Sequence, residues 1–186
     1  MPRMTLVGYR GTGKTTVAEL LARRLGCGWV DADAVLEERV GCTIAALVRD
    51  RGEPAFRDAE AALLAELVAR DDLVLATGGG VVLRPENRRL LADRGRPVVW
   101  LQAPAEVIRA RLAADPMTPD RRPALSGRDP LDEVEAALAD REPLYRVCAD
   151  LVVDSATDEP ETIADRLDAW LERTWFSRQP RSESES

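Results

Sequence analysis

Met4-Thr5-Leu6-Val7-Gly8-Tyr9-Arg10-Gly11-Thr12-Gly13-Lys14-Thr15 is the stretch that decides the fold of this chain. Its first four residues form a short, mainly apolar run of strand length, and Gly8 to Thr15 fit the phosphate-binding pattern Gly-x-x-x-x-Gly-Lys-Thr. Glycines let the backbone turn its N–H groups inward around phosphate oxygens, Lys14 brings a mobile positive charge, and the Thr15 hydroxyl can ligate Mg²⁺. Downstream, Ala18, Leu21, Ala22 and Leu25 recur at helical spacing. The loop is thus expected between the end of a strand and the start of a helix, the context in which a nucleotide phosphate can meet unpaired backbone N–H groups.

Outward from this unit the same alternation continues. Further apolar runs occur at Trp29 to Val30, Leu73 to Ala76, Val98 to Leu101 and Leu151 to Val153, each near strand length. Between them lie amphipathic stretches marked by Ile44, Leu47 and Val48, by Leu63, Leu64, Leu67 and Val68, by Val107, Ile108 and Leu112, and by Leu131, Val134 and Leu138. A last helix is expected near Pro160, with Ile163, Leu167, Trp170 and Leu171 on one face. Apolar strands joined by helical crossovers imply an α/β fold with a parallel sheet covered on both faces, and ligands at the carboxyl ends of the strands.

The length of 186 residues suits one domain, here read as residues 1–176, with 177–186 a polar, aperiodic tail expected to be disordered. Twenty-six basic against 33 acidic residues, with an isoelectric point near 4.8, argue against a nucleic-acid or polybasic membrane partner. Histidine is absent, so imidazole bases and histidine metal sites are excluded and carboxylates, lysine and arginine must do the chemistry. The three cysteines, Cys27, Cys42 and Cys148, form no paired motif and read as free thiols. With neither a secretory leader nor an 18-residue apolar stretch, a cytoplasmic protein is expected.

Four more clusters carry chemistry. Asp31 and Asp33, spaced i, i+2 at the end of the second apolar run, would share one face of an extended strand beside the loop. One could hold the hydration shell of Mg²⁺ and the other accept a hydrogen bond from an attacking hydroxyl; the competing reading is an Asp pair capping the next helix. Phe56-Arg57-Asp58-Ala59-Glu60 offers a guanidinium fork for a carboxylate, and Gly78-Gly79-Gly80 would let a small ligand lie against main-chain N–H groups. Arg121 and Arg122 stand beside Pro123 in a proline-rich segment that could close over ATP, and Arg141 precedes Glu142-Pro143-Leu144-Tyr145. From these residues alone the reading is an ATP- and Mg²⁺-dependent transfer to a small, carboxylated hydroxy compound.

Taken in order, Gly8 to Thr15, Asp31-Ala32-Asp33, Phe56-Arg57 with Glu60, Gly78-Gly79-Gly80, Arg122-Pro123 and Arg141 to Tyr145 resemble the shikimate kinase family, from Met4 to about Leu171. The resemblance implies a three-layer P-loop kinase fold of the nucleoside monophosphate kinase type, with a five-stranded parallel sheet flanked by helices. It also implies a substrate region at about 33–60, a lid at about 112–124, and conversion of ATP and shikimate into ADP and 3-phosphoshikimate. By position, shikimate contacts fall on Asp33, Arg57, Gly79, Gly80 and Arg141, with the two arginines on the carboxylate and Asp33 on the reacting hydroxyl. Lys14 and Arg122 would stabilise the phosphoryl group. ATP would lie on Gly11, Thr12, Gly13, Lys14, Thr15, Thr16, Arg111 and Arg122, with adenine between Arg111 and the 155–160 segment. One Mg²⁺ would be held by Thr15 and, through water, by Asp31, in an enzyme acting as a monomer.

The chain departs from the family pattern at a few places. Arg122-Pro123-Ala124-Leu125 carries alanine where a second leucine is common, Ser155 follows Asp154 where threonine is usual, and Tyr9-Arg10 fill variable loop positions. A gluconate kinase or a nucleoside monophosphate kinase would share the loop and the size, but not the Asp-x-Asp, Phe-Arg and Gly-Gly-Gly set. A non-catalytic nucleotide-binding module of the same fold would be marked by loss of Lys14, Asp33 or Arg122, and all three are present.

Overall fold

A β-strand, β1 (Met4–Val7), runs through the centre of the sheet and ends at the phosphate-binding loop, as its apolar sequence dictates. The computed structural model describes residues 1–114 and 134–175, and of Trp175 only the backbone. Its elements follow as α1 (Lys14–Leu25), β2 (Gly28–Asp31), α2 (Ala32–Val40), α3 (Ile44–Leu67), β3 (Leu73–Ala76), α4 (Pro85–Arg94), β4 (Val98–Gln102), α5 (Ala105–Ala114), α6 (Val134–Cys148), β5 (Leu151–Asp154) and α7 (Pro160–Trp170). The expected lid beyond Ala114, including Arg121 and Arg122, the helical position Leu131 and the 177–186 tail lie outside the described residues.

All five strands are parallel, in the order β2-β3-β1-β4-β5, and helices flank the sheet as the α/β reading requires. Side chains alternate along each strand, so the sheet feeds two separate apolar layers. Met4, Leu6, Val74, Val99 and Leu101 pack against Val17 and Leu21 of α1 and Ile163 and Leu167 of α7. On the opposite face Leu75, Val98 and Trp100 pack against Leu63, Leu64 and Leu67 of α3, Leu91 of α4 and Tyr145 of α6. Because β3 and β4 flank β1 on either side, the carboxyl ends of β1 and β3 form a crevice into which the loop and Gly78-Gly79-Gly80 both open.

Three features differ from the sequence reading. The segment after β2 is not extended through Asp33, because Asp31 ends the strand and caps α2, accepting from the backbone N–H of Asp33 at 2.9 Å and of Ala34 at 3.3 Å. The Asp31–Asp33 spacing therefore acts across a strand-to-helix junction rather than along one strand face. The two amphipathic stretches at 44–48 and 63–68 belong to one helical element broken at Gly52, whose φ of 84° and ψ of 160° no helix contains. Helix α4, with the sequence Pro-Glu-Asn-Arg-Arg-Leu-Leu-Ala-Asp-Arg, has too few apolar residues to give a periodic signal, yet Leu91 and Asn87 are buried.

Candidate active site

The phosphate-binding loop is shaped by left-handed backbone conformations that favour glycine. Gly11 and Gly13 adopt φ of 78° and 85°. A β-carbon on Gly8 would meet the Leu101 carbonyl oxygen at 2.4 Å, so the loop leaves β1 pressed against β4. Helix α1 starts at Lys14 without a side-chain cap, and its first hydrogen bond to the loop is from Val17 N–H to Gly13 O at 2.9 Å. The N–H groups of Lys14, Thr15 and Thr16 thus face outward from the positive end of the helix dipole, a receptor for a phosphate. The Lys14 ammonium folds back over the loop and donates to the carbonyls of Gly8 at 2.9 Å and Tyr9 at 2.8 Å. Thr12 also donates to Tyr9 O, at 2.7 Å.

At the mouth of this receptor the Thr15 hydroxyl donates to Asp31 Oδ2 at 2.6 Å. Asp31 therefore caps α2 with one oxygen, as the competing reading expected, and accepts the Thr15 hydroxyl with the other. On the far side of the loop Arg111 of α5 donates to Gly11 O at 3.3 Å and Ser155 O at 2.6 Å. It ties the loop to Ser155, so that Arg111 and the start of the 155–160 segment, the two places expected to bound a base, lie side by side.

Beside the loop lies a cavity of about 110 Å³, large enough for one small ring. Its lining includes Asp33, Arg57, Gly79, Gly80 and Arg141, all five residues expected to hold the acceptor, together with the apolar surfaces of Ile44, Val48 and Phe56. These side chains come from α2, α3, the turn after β3 and α6, so residues more than 100 positions apart in sequence converge on one wall.

Arg57 is only 9% exposed and is held on three sides. It donates to Glu60 Oε2 at 2.8 Å and to Glu53 Oε1 at 3.2 Å, and its guanidinium carbon lies 4.6 Å from the Phe56 ring centre. Such a framework fixes the planar fork before any ligand arrives. Gly80 explains itself here, since a β-carbon would sit 2.2 Å from Arg57 Nη1. Gly78 does the same for carboxylates, with its β-carbon position 2.6 Å from Asp33 Oδ1 and 3.0 Å from Glu60 Oε1. Glu60 Oε1 is buried without a hydrogen-bond partner among the described residues. Tyr145, fully buried and stacked on Trp100 at 5.7 Å, donates its hydroxyl to Gly79 O, which Arg141 also approaches at 3.4 Å. Burial pushes the Tyr145 hydroxyl well above the usual tyrosine range, keeping this donor protonated.

Sequence assigns no role to Glu53, Glu60, Tyr9 or Tyr145, although the last three fall inside its motifs. The Glu53 and Glu60 spacings to Arg57, i−4 and i+3 on a helix, were the available signal for the two carboxylates. Among the described residues no group of three or more His, Cys, Asp or Glu side chains could hold a metal, and no helix is long and apolar enough to cross a membrane.

Known proteins resemble this chain in sequence and in fold. A family model for shikimate kinase matches residues 10–172. A shikimate kinase of Nitratidesulfovibrio vulgaris is 48% identical over 151 residues, covering 81% of this chain and 85% of that protein. One of Rhodopirellula baltica is 46% identical over 151 residues, covering 81% and 80%. Among solved structures, shikimate kinase from Acinetobacter baumannii in complex with shikimate superposes with a TM-score of 0.85 at 35% identity, covering 94% of this chain and 96% of that one. A gluconokinase from Sinorhizobium meliloti reaches a TM-score of 0.56 at 18% identity, with 96% and 98% coverage, a likeness of fold alone.

Proposed function

The chain belongs to the shikimate kinase family, and from that premise we propose how its own residues phosphorylate shikimate with ATP, as a step of aromatic biosynthesis. The observation that carries the assignment of roles is the convergence of Asp33, Arg57, Gly79, Gly80 and Arg141 on one cavity beside the phosphate-binding loop. Arg57, fixed by Glu53, Glu60 and Phe56, and Arg141 from α6 hold the shikimate carboxylate. Ile44, Val48 and Phe56 cover the apolar faces of the ring. Held this way, a hydroxyl on the opposite edge points towards Asp33 and the loop.

Asp33 accepts the proton of that hydroxyl as its oxygen bonds to the γ-phosphorus, the bond to the β–γ bridging oxygen breaks, and ADP leaves. Transfer of this kind is governed by alignment and by neutralisation of charge on the phosphoryl oxygens. The N–H groups at the start of α1 and the ammonium of Lys14, which exchanges a loop carbonyl for a phosphate oxygen, supply that neutralisation. Arg122 is assigned to the same task from its motif, and Arg111 with the 155–160 segment is assigned to adenine.

Kinases of this family use ATP and generally need a divalent metal ion, which we assign as Mg²⁺. The donor set fits it: a hydroxyl and a carboxylate, Thr15 and Asp31, stand 2.6 Å apart at the receptor, and Mg²⁺ prefers few protein oxygens plus waters and phosphates. Thr15 would hold the ion directly and Asp31 through water. Bound with ATP, the ion offsets phosphate charge. The enzyme acts as a cytoplasmic monomer on small molecules alone, folded as one domain over residues 1–176 with a lid near 112–124.

The test is ADP release from ATP and Mg²⁺ with shikimate, gluconate or AMP offered separately. Turnover with shikimate alone is the expected result. Turnover with gluconate or AMP in its place would overturn the acceptor assignment while leaving the nucleotide site standing.

A further inference from the structure

Tyr9 occupies a position that the phosphate-binding pattern leaves open to any residue, and its bulk is unexplained by phosphate binding, which uses only its backbone. Its side chain is 4% exposed and lines the acceptor cavity. The ring carries two guanidinium groups: the central carbon of Arg141 lies 5.2 Å from its centre and that of Arg10 lies 5.7 Å away. Both fall within the reach at which a cation is attracted to an aromatic face. Beneath the ring, Ile108, Leu112, Val134 and Leu138 close an apolar layer, so Tyr9 has a floor and cannot tilt away.

Arg141 needs such a support. Its hydrogen bond to Gly79 O is long, 3.4 Å, and its other polar neighbour is the neutral Tyr145 hydroxyl, whereas Arg57 is held by two carboxylates and a ring. A long side chain held without a carboxylate partner samples more rotamers than one locked in an ion pair, and each ordering event on ligand binding costs affinity. A flat aromatic surface restricts the guanidinium without using up its hydrogen-bond donors, leaving the fork open to a carboxylate.

We propose that Tyr9 is a positioning residue for the acceptor: its ring preorganises Arg141 for the shikimate carboxylate, while its backbone carbonyl, bonded to Lys14 and Thr12, belongs to the nucleotide half of the site. The inference rests on the assignment of Arg141 to shikimate made above. It makes one residue of the phosphate-binding loop a determinant of acceptor affinity through its side chain alone.

The experiment compares Tyr9→Leu and Tyr9→Phe by steady-state kinetics for both substrates, with thermal unfolding of each variant. Tyr9→Leu is expected to raise KM for shikimate about 3- to 10-fold, the range a partly desolvated cation–π contact spans, with KM for ATP and kcat within about twofold of the parent. Tyr9→Phe, which keeps the ring face, restores the shikimate KM. In an Arg141→Met background Tyr9→Leu adds no further rise, because the residue it acts through is gone. Tyr9→Met, closer in volume, replaces the leucine variant if that fails to fold. An unchanged shikimate KM, equal rises for ATP and shikimate, or additive effects with Arg141→Met overturn the inference. A parent enzyme that does not turn over shikimate at all overturns the acceptor reading first, and this inference with it.

Discussion

Gly80 and Arg57 are a matched pair, since the glycine gives up its side chain so that the guanidinium can lie on the backbone. In Gly80→Ala the new methyl would fall 2.2 Å from Arg57 Nη1 and 2.6 Å from its central carbon, and Glu60, Glu53 and Phe56 leave the fork little room to retreat. We expect KM for shikimate to rise about tenfold, near 1.4 kcal/mol, with KM for ATP unchanged; a parallel rise for ATP would contradict the pairing. Arg57→Ala removes a charge-assisted contact of about 1.5–3 kcal/mol and also strands the buried Glu60 carboxylate, so it should both weaken shikimate and lower the melting temperature. Arg57→Lys separates the two effects, keeping a charge for Glu60 while losing the planar fork: stability should recover, shikimate affinity should not. Arg57, Asp33 and Arg141 were legible because they stand in ordered motifs. Tyr9 was not, because nothing in the sequence says that a loop side chain will meet an arginine 132 positions later, and the supporting role of Tyr145 depends on the same tertiary approach of α6 to Gly79.

At the scale of elements, α3 owes its shape to three consecutive residues, Gly52-Glu53-Pro54. Glycine at φ 84° and ψ 160° breaks the helix, proline two residues on restarts it without needing an N–H donor, and Glu53 between them reaches Arg57. The kink therefore turns the second half of α3 so that Phe56, Arg57 and Glu60 face the cavity. Gly52→Ala should cost about 1–3 kcal/mol in backbone strain, a fall of about 2–12 °C in melting temperature for a chain of this size. If the kink also aims Arg57, the shikimate KM rises with it; a stable variant with unchanged KM would show that the direction of α3 is set by core packing instead. Strands β1 and β3 were readable to the residue, because a fully buried parallel strand must be an apolar run. The junction after β2 was not. An Asp that caps a helix and an Asp that ends a strand have the same sequence, and only the hydrogen bonds from the N–H groups of Asp33 and Ala34 decide between them. Helix α4 escaped for the opposite reason, since its one buried leucine is too little to make a period.

For the molecule as a whole, a net charge of −7 sets a general repulsion against two anionic substrates, and the proposed site overcomes each locally, with the loop assigned to ATP and Arg57 and Arg141 to shikimate. The two halves of the site are distinct in their donors: Lys14, Thr15 and Asp31 on one side, Asp33, Arg57 and Arg141 on the other, with the loop as their common wall. Binding to either should therefore stabilise the fold separately. Shikimate at about 100 times its Kd should add about 2.7 kcal/mol, which for 186 residues corresponds to a rise of about 5–11 °C in melting temperature. Chelation of divalent metal should abolish ADP release and reduce the rise produced by ATP, yet leave the shikimate-induced rise intact, because no proposed metal ligand touches the acceptor. Arg57→Ala should show the reverse, keeping the ATP-induced rise and losing the one from shikimate. Thermal unfolding with each ligand, with and without chelator, in parent and variant distinguishes these cases. Loss of the shikimate effect on chelation would mean that the acceptor pocket is completed only by the bound nucleotide and its metal, and the two halves would then have to be treated as one cooperative site.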